Sequence, residues 1–117
     1  MSYLLLIVEP REQRAERGVE AGKQVYAQMG AFAAELQQRG VLLGVESLAS
    51  DAKGTRVQVR DGRVRALDGP FTESKEMVGG FFLLNCTDRA QALAIAQQCP
   101  AAQWATVEVR EVAPCFE

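Results

Sequence analysis

Carboxylates are the side chains of this sequence whose types and positions point to chemistry. Asp68 lies at the end of a predicted strand, where a loop can present a carboxylate to a ligand. Glu46 lies between Val45 and Leu48 in another predicted strand, whose inner side would face an apolar interior. Desolvation in such an interior raises the pKa of a carboxyl group, which is typical of a general acid or base. Asp68 and Glu46 are therefore the candidate catalytic residues.

The sequence leaves a structural interpretation open for both carboxylates. Aspartate side chains commonly accept N–H bonds within their own turn, and Asp68 stands beside Gly69 and Pro70, two turn-forming residues. Glu46 is also compatible with an ordinary outward-facing position at the end of its strand. Each carboxylate thus has a chemical and a structural interpretation.

The segment after Asp68 holds groups that can complete a ligand site. Phe71 can anchor its loop in apolar surroundings, while Glu73 and Lys75 are acid–base or anion-binding groups if the segment lines a cleft. A glycine pair just before Phe81 permits close approach of a ligand or a backbone, or marks a bulge. The same polar run also fits a solvated turn. The candidate ligand-binding residues are Phe71, Glu73, Lys75, Gly80 and Phe81.

The absence of histidine excludes much other chemistry. It removes Ser-His and Cys-His nucleophilic catalysis and most zinc and haem sites. Cys86, Cys99 and Cys115 have no C-x-x-C spacing, and an odd number cannot close a complete disulfide framework, so we expect reduced thiols in the cytoplasm. We expect no metal and no cofactor, which leaves carboxylate acid–base catalysis as the accessible chemistry.

Two helices and six strands must position these residues. An apolar run from Tyr3 to Val8 predicts a central strand buried on both faces. Val25, Met29, Phe32 and Leu36 share one helical face. The predicted strands cover residues 3–8, 41–48, 55–60, 63–67, 80–86 and 106–112, and the helices cover about 19–39 and 87–99, with loops at 11–17 and 72–77. This order predicts an α+β, ferredoxin-like β-α-β-(hairpin)-β-α-β fold, with a mainly antiparallel sheet and two helices on one face.

The hairpin is the clearest local signal. Asp61-Gly62 favours a two-residue type I′ turn, which fixes the register of the flanking strands. Val59 is then opposite Val64, and Arg60 is opposite Arg63. The arginine-rich side fits a solvated, edge-protecting face, and it also fits a docking patch for an anionic partner.

Length and charge limit the architecture further. The 117 residues form one domain, residues 1–117, and the net charge of −2 gives no general reason to bind nucleic acid or a membrane. No targeting or transmembrane segment is visible, so a cytoplasmic location is expected. Helices on one face leave the other sheet face uncovered, and a second subunit is the economical cover at this size. We therefore expect a homodimer.

The run from Asp68 to Glu76, followed by Val78 to Phe82, resembles the DGPF signature of one branch of the YCII-related family. The resemblance implies a dimeric α+β barrel. Members of this branch include proteins encoded beside or fused to extracytoplasmic-function sigma factors. In another branch of the family, a His–Asp pair is proposed as catalytic. This proposal cannot be carried over, because the present chain has no histidine. Asp68 is the position that would correspond to the aspartate of that pair. The resemblance extends to residues 40–44, 60–63, 99–102 and 107–110.

Two functional hypotheses follow. The first is a homodimer that binds or transforms a small polar metabolite by carboxylate acid–base chemistry, with Asp68 as the main acidic group and Glu46 as the second. The alternative is a noncatalytic regulatory or interaction module linked to sigma-factor-controlled transcription, docking through the arginine side of the hairpin. Whether the protein is an enzyme is left open by the sequence.

Overall fold

The computed structural model describes residues 1–116, which form three α-helices and six strands arranged in two sheets. Short 3-10 turns lie at Asp51–Lys53 and Pro100–Gln103. The elements in chain order are β1 (Ser2–Pro10), α1 (Gln13–Arg17), α2 (Val19–Gln38), β2 (Leu42–Ser47), β3 (Thr55–Arg60), β4 (Arg63–Asp68), β5 (Glu76–Asn85), α3 (Arg89–Gln98) and β6 (Thr106–Glu111).

The main sheet has the strand order β2-β5-β1-β6, and every pairing in it is antiparallel. Tyr3, Leu5, Ile7 and Glu9 of β1 are buried, whereas the residues between them are half-buried. The predicted central position of this strand is therefore confirmed, whereas only one of its two faces is buried within one chain. The α+β, ferredoxin-like architecture is confirmed as well.

The core lies between the helices and the enclosed face of the sheet. Phe32 and Leu36 of α2 and Ile95 of α3 pack in one cluster with Leu5 and Phe82 of the sheet. The rings of Phe32 and Phe82 meet edge to face with centroids 5.4 Å apart. Both long helices thus cover the same face, as the sequence predicts.

Two local predictions were wrong. Residues 13–17, expected in a loop, form the short helix α1. The strand expected from residue 80 begins at Glu76, because β1 extends to Pro10 and pairs Glu9 with Met77 and Pro10 with Glu76. Pairing with a long central strand overrides the turn-like composition of the segment.

The hairpin β3–β4 forms a separate two-stranded sheet in which all residues are exposed. Val59 pairs with Val64 and Arg60 with Arg63, so the predicted register is confirmed. Asp61 has a positive φ of 52°, as a type I′ turn requires. Of the helices within residues 1–116, none combines the length and the apolar character that crossing a membrane requires.

Candidate functional site

A cavity of about 650 Å³ lies between the first half of α2 and the helix-facing side of the sheet. Its volume falls in the range of small-molecule sites, and mostly apolar walls with a few polar groups are typical of such sites. Tyr26 of α2 stands at its exposed edge. The apolar side chains of the wall include those of Ile7, Val25, Met29, Val45 and Phe82.

The polar end of the cavity is an ion pair between Glu9 and Arg14. Glu9, at the end of β1, is only 4% exposed. Arg14 of α1 donates from Nη2 to Glu9 Oε1 at 2.8 Å and from Nε to Oε2 at 3.1 Å. A carboxylate has about four lone-pair positions, and the hydrogen bonds from Arg14 occupy two of them. Glu9 is thus the buried carboxylate of this cavity.

A bulge in β5 makes room for this ion pair. Ile7 pairs with Gly80 and Val8 with Val78, so Gly79 has no partner on β1. A Cβ added to Gly79 would lie 1.6 Å from Glu9 Oε1. Only a residue without a side chain lets the carboxylate lie against this backbone. The glycine pair thus marks a bulge, as one of its interpretations predicted, and Gly80 lies against the backbone of Glu46.

A second arginine, Arg17, lines the cavity at the end of α1. Its guanidinium carbon lies 4.6 Å from the ring centroid of Trp104, in cation–π geometry. The carbonyl oxygen of Trp104 accepts a hydrogen bond of 2.5 Å from Gln13 Nε2. Trp104 therefore contacts α1 at two points and orients Arg17.

Gly80, Phe81 and Glu46 are the predicted site residues that line this cavity. Glu46 pairs with Phe81, and Phe81 pairs with Leu6, so the three side chains share the sheet face opposite to the helices. Glu46 is exposed, which agrees with its structural interpretation as an outward-facing residue. Its catalytic role stays a prediction.

Asp68, Phe71, Glu73 and Lys75 lie outside this cavity, around a separate loop. Asp68 is exposed and accepts a hydrogen bond of 2.8 Å from Thr55 Oγ1 across the hairpin. Its ligand role stays a prediction, but the structure does not bring it together with Glu46. Lys75 is exposed and contributes a backbone carbonyl that accepts from the N–H of residue 11 at 3.0 Å.

Phe71 holds its loop against the body of the protein, as expected of an anchor. It is 6% exposed, and the Arg56 guanidinium carbon lies 3.8 Å from its ring centroid. Glu73 accepts from Arg56 Nη1 at 2.9 Å. Phe71 also lines a smaller cavity of about 490 Å³, which shares only the lining residue Leu48 with the first.

A largely buried ion pair between Arg11 and Asp51 helps to fix the same loop. Arg11 donates from Nη1 to Asp51 Oδ1 at 2.7 Å and from Nε to the Ser74 carbonyl at 2.6 Å. The hydrogen bond from Arg11 holds the pKa of the Asp51 carboxyl below its ordinary value. The segment that follows Asp68 is thus held to Arg11, at the end of β1, by hydrogen bonds and to Arg56 by the ring of Phe71.

The cysteines offer no reactive group inside the cavity. Cys86 and Cys99 are buried free thiols, and burial raises the pKa of both, which disfavours the nucleophilic thiolate. Cys115 is a free, exposed thiol near the C-terminus. Residues 1–116 contain no group of three or more His, Cys, Asp or Glu side chains placed to hold a metal ion.

Sequence reasoning missed Glu9, Arg14 and Arg17. Glu9 continues the alternation of the buried residues Leu5 and Ile7, and this spacing was the available signal that the carboxylate points into the core. The two arginines carry no such signal, because α1 was expected to be a loop.

Comparison with known proteins places residues 1–115 in one family. The sequence pattern of the YCII-related domain matches residues 1–115. An uncharacterized protein of Rhizobium meliloti (strain 1021) is 27% identical over 115 residues, which cover 97% of this chain and 93% of that protein. Because the family pattern spans almost the complete sequence, this protein belongs to the YCII-related domain family.

Proposed function

We propose that this protein binds a small metabolite in the cavity between α2 and the sheet, with Glu9 as its acid–base group. One observation carries the proposal: the buried carboxylate of Glu9 lies at the polar end of an apolar cavity of about 650 Å³. Buried carboxylates that face a cleft are common acid–base groups. This keeps the carboxylate chemistry expected from the sequence and assigns it to a different residue.

Gly22 gives a direct test of binding. It lines the cavity, and an added Cβ would meet no heavy atom within 4 Å, so Gly22→Leu can place its side chain in the open space. Ala27→Leu adds the same side chain to an exposed position of α2 outside the cavity. We expect the neutral probe 4-phenyl-2-butanone to shift backbone amide signals of the cavity in wild type and Ala27→Leu, and to shift none in Gly22→Leu.

The same probe tests the chemistry of Glu9. A carboxylate base removes a proton from the carbon beside the carbonyl and returns a deuteron when the solvent is D₂O. Proton NMR should show that wild type accelerates this exchange and that Glu9→Gln, which we expect to retain binding of the probe, does not. If Gly22→Leu bound the probe as well as wild type does, the cavity would not be the binding site. Unchanged exchange in Glu9→Gln would remove Glu9 from the chemistry.

We also propose that a second copy covers the side of the sheet opposite to the helices. Leu4, Leu6, Phe81 and Leu83 share this side and are only half-buried in one chain. Sheets with one apolar face uncovered commonly pair in symmetric dimers. The metabolite site would then be present once in each subunit.

Sedimentation velocity tests this assembly. We expect wild type to sediment as a dimer and Leu83→Glu to sediment as the 12.8 kDa monomer, because a charge would be buried in the interface. Arg65→Glu, at an exposed hairpin position, should remain dimeric. A monomeric wild type, or a dimeric Leu83→Glu, contradicts the proposal.

A further inference from the structure

Arg17 is a charged residue of the cavity wall, and no opposite charge in the part of the chain that the structure describes pairs with its guanidinium. The charged residues around the cavity are Glu9, Arg14, Arg17 and Glu46. Glu9 and Arg14 neutralise each other, and the side chain of Glu46 lies on the other face of the sheet. Among residues 1–116, none forms an ion pair or side-chain hydrogen bond with Arg17. The cavity therefore carries one uncompensated positive charge.

Trp104 holds this charge in place. Its ring supports the Arg17 guanidinium at 4.6 Å, and stacking on an aromatic face leaves the edge N–H donors of a guanidinium free. The side chain is half-buried, so its attraction for an anion is screened less than that of a fully exposed arginine. Arg17 is thus a pre-positioned donor with no acceptor of its own.

We infer that the ligand of this cavity carries a single carboxylate on an apolar body, that Arg17 binds the carboxylate, and that Trp104 is a positioning residue for Arg17. The planar fork of a guanidinium matches a carboxylate. The apolar wall of the cavity accommodates the apolar body of the ligand. The single unpaired cation among the described residues of this wall, Arg17, matches the one negative charge of a carboxylate rather than the two charges of a phosphate. The inference rests on the proposed function, since it specifies the ligand of the same cavity.

Two probes with one carbon skeleton test the inference. 3-Phenylpropanoate carries a carboxylate, and 3-phenyl-1-propanol carries a neutral hydroxyl. By NMR titration we expect wild type to bind the anion at least about tenfold more tightly, as a charge-assisted hydrogen bond provides. Arg17→Gln should lose this preference and keep its affinity for the alcohol. Arg65→Gln, which removes a cation from the exposed hairpin, should behave as wild type.

Variants of Trp104 separate positioning from folding. Trp104→Phe retains an aromatic face and should retain the preference for the anion. Trp104→Leu should lose most of it while its affinity for the alcohol is unchanged. The same loss in Trp104→Phe, or no loss in Trp104→Leu, would overturn the positioning role.

The outcomes distinguish the inference from the proposal beneath it. Suppose that 3-phenyl-1-propanol and 4-phenyl-2-butanone bind in the cavity and that 3-phenylpropanoate binds no more tightly than they do. The inferred preference for a carboxylate is then wrong, while the proposed function stands. A preference for the anion that persists in Arg17→Gln removes Arg17 as the binding residue. If none of the three probes shifts cavity signals, the proposed function fails and the inference fails with it.

Discussion

Replacing Gly79 by alanine is expected to lower the free energy of unfolding by about 3 kcal/mol, because the substitution disrupts a buried ion pair. The new Cβ would lie 1.6 Å from Glu9 Oε1 and 2.9 Å from Arg14 Nη2. Real side chains do not approach so closely, so the carboxylate must leave Arg14 or the bulge must shift. The first change leaves a desolvated charge without its partner, and the second disturbs the pairing of β5 with β1.

Urea unfolding followed by the fluorescence of Trp104, the only tryptophan, measures this effect. Variants must be compared at one protein concentration, since association contributes to stability. Gly30→Ala is the matched control, because a Cβ there meets no heavy atom within 4 Å. It should increase stability by about 0.5–1 kcal/mol through its higher helix propensity. If Gly79→Ala were as stable as wild type, Glu9 could move to a new position without lowering the free energy of unfolding.

Arg14→Ala is expected to destabilise the protein by about 3 kcal/mol, the lower end of the range for breaking a buried pair. Glu9, which is only 4% exposed in wild type, would lose its two hydrogen bonds from Arg14. The value is at the lower end because Arg14 itself is partly exposed, with 35% of its side-chain surface accessible, and the cavity admits water to the carboxylate.

A double variant distinguishes charge from packing. Glu9→Met with Arg14→Met removes both charges and keeps unbranched side chains, so it should recover most of the stability lost in Arg14→Ala. Arg65→Ala, an exposed arginine, should change stability by less than about 0.5 kcal/mol. Destabilisation of the double variant as large as that of Arg14→Ala would show that packing by the arginine stem, and not the unpaired charge, stabilises this end of β1.

The hairpin shows why some of the fold could be predicted from sequence. Its register depends on a two-residue turn at Asp61 and Gly62 and on the alternation beside it, and both are local properties. The N-terminus of α3 is also encoded locally, because the side chain of Asp88 accepts from the N–H of Gln91 at 2.9 Å and so caps the helix. Features encoded within a few residues were therefore recovered.

The site depends on distant contacts, and these were not visible in the sequence. Glu9 becomes a site residue because α1 brings Arg14 to it and because the bulge at Gly79, 70 positions along the chain, makes room. Asp68 was singled out because a turn motif follows it, yet that motif anchors a loop through Phe71 and the Arg11–Asp51 pair. A local signal of a turn does not reveal what the turn packs against.

The anchoring of α2 has a consequence for how the cavity is reached. Its buried residues, Phe32 and Leu36, both belong to the second half, whereas Val19 and Tyr26 of the first half are 73% and 68% exposed. A segment with so few buried contacts opens at a lower free energy than the whole domain. Transient fraying of the first half can therefore admit a ligand while the core stays folded. A ligand bound in the cavity would stabilise the helical state of the first half of α2. Ligand binding and the order of this half would therefore be thermodynamically coupled.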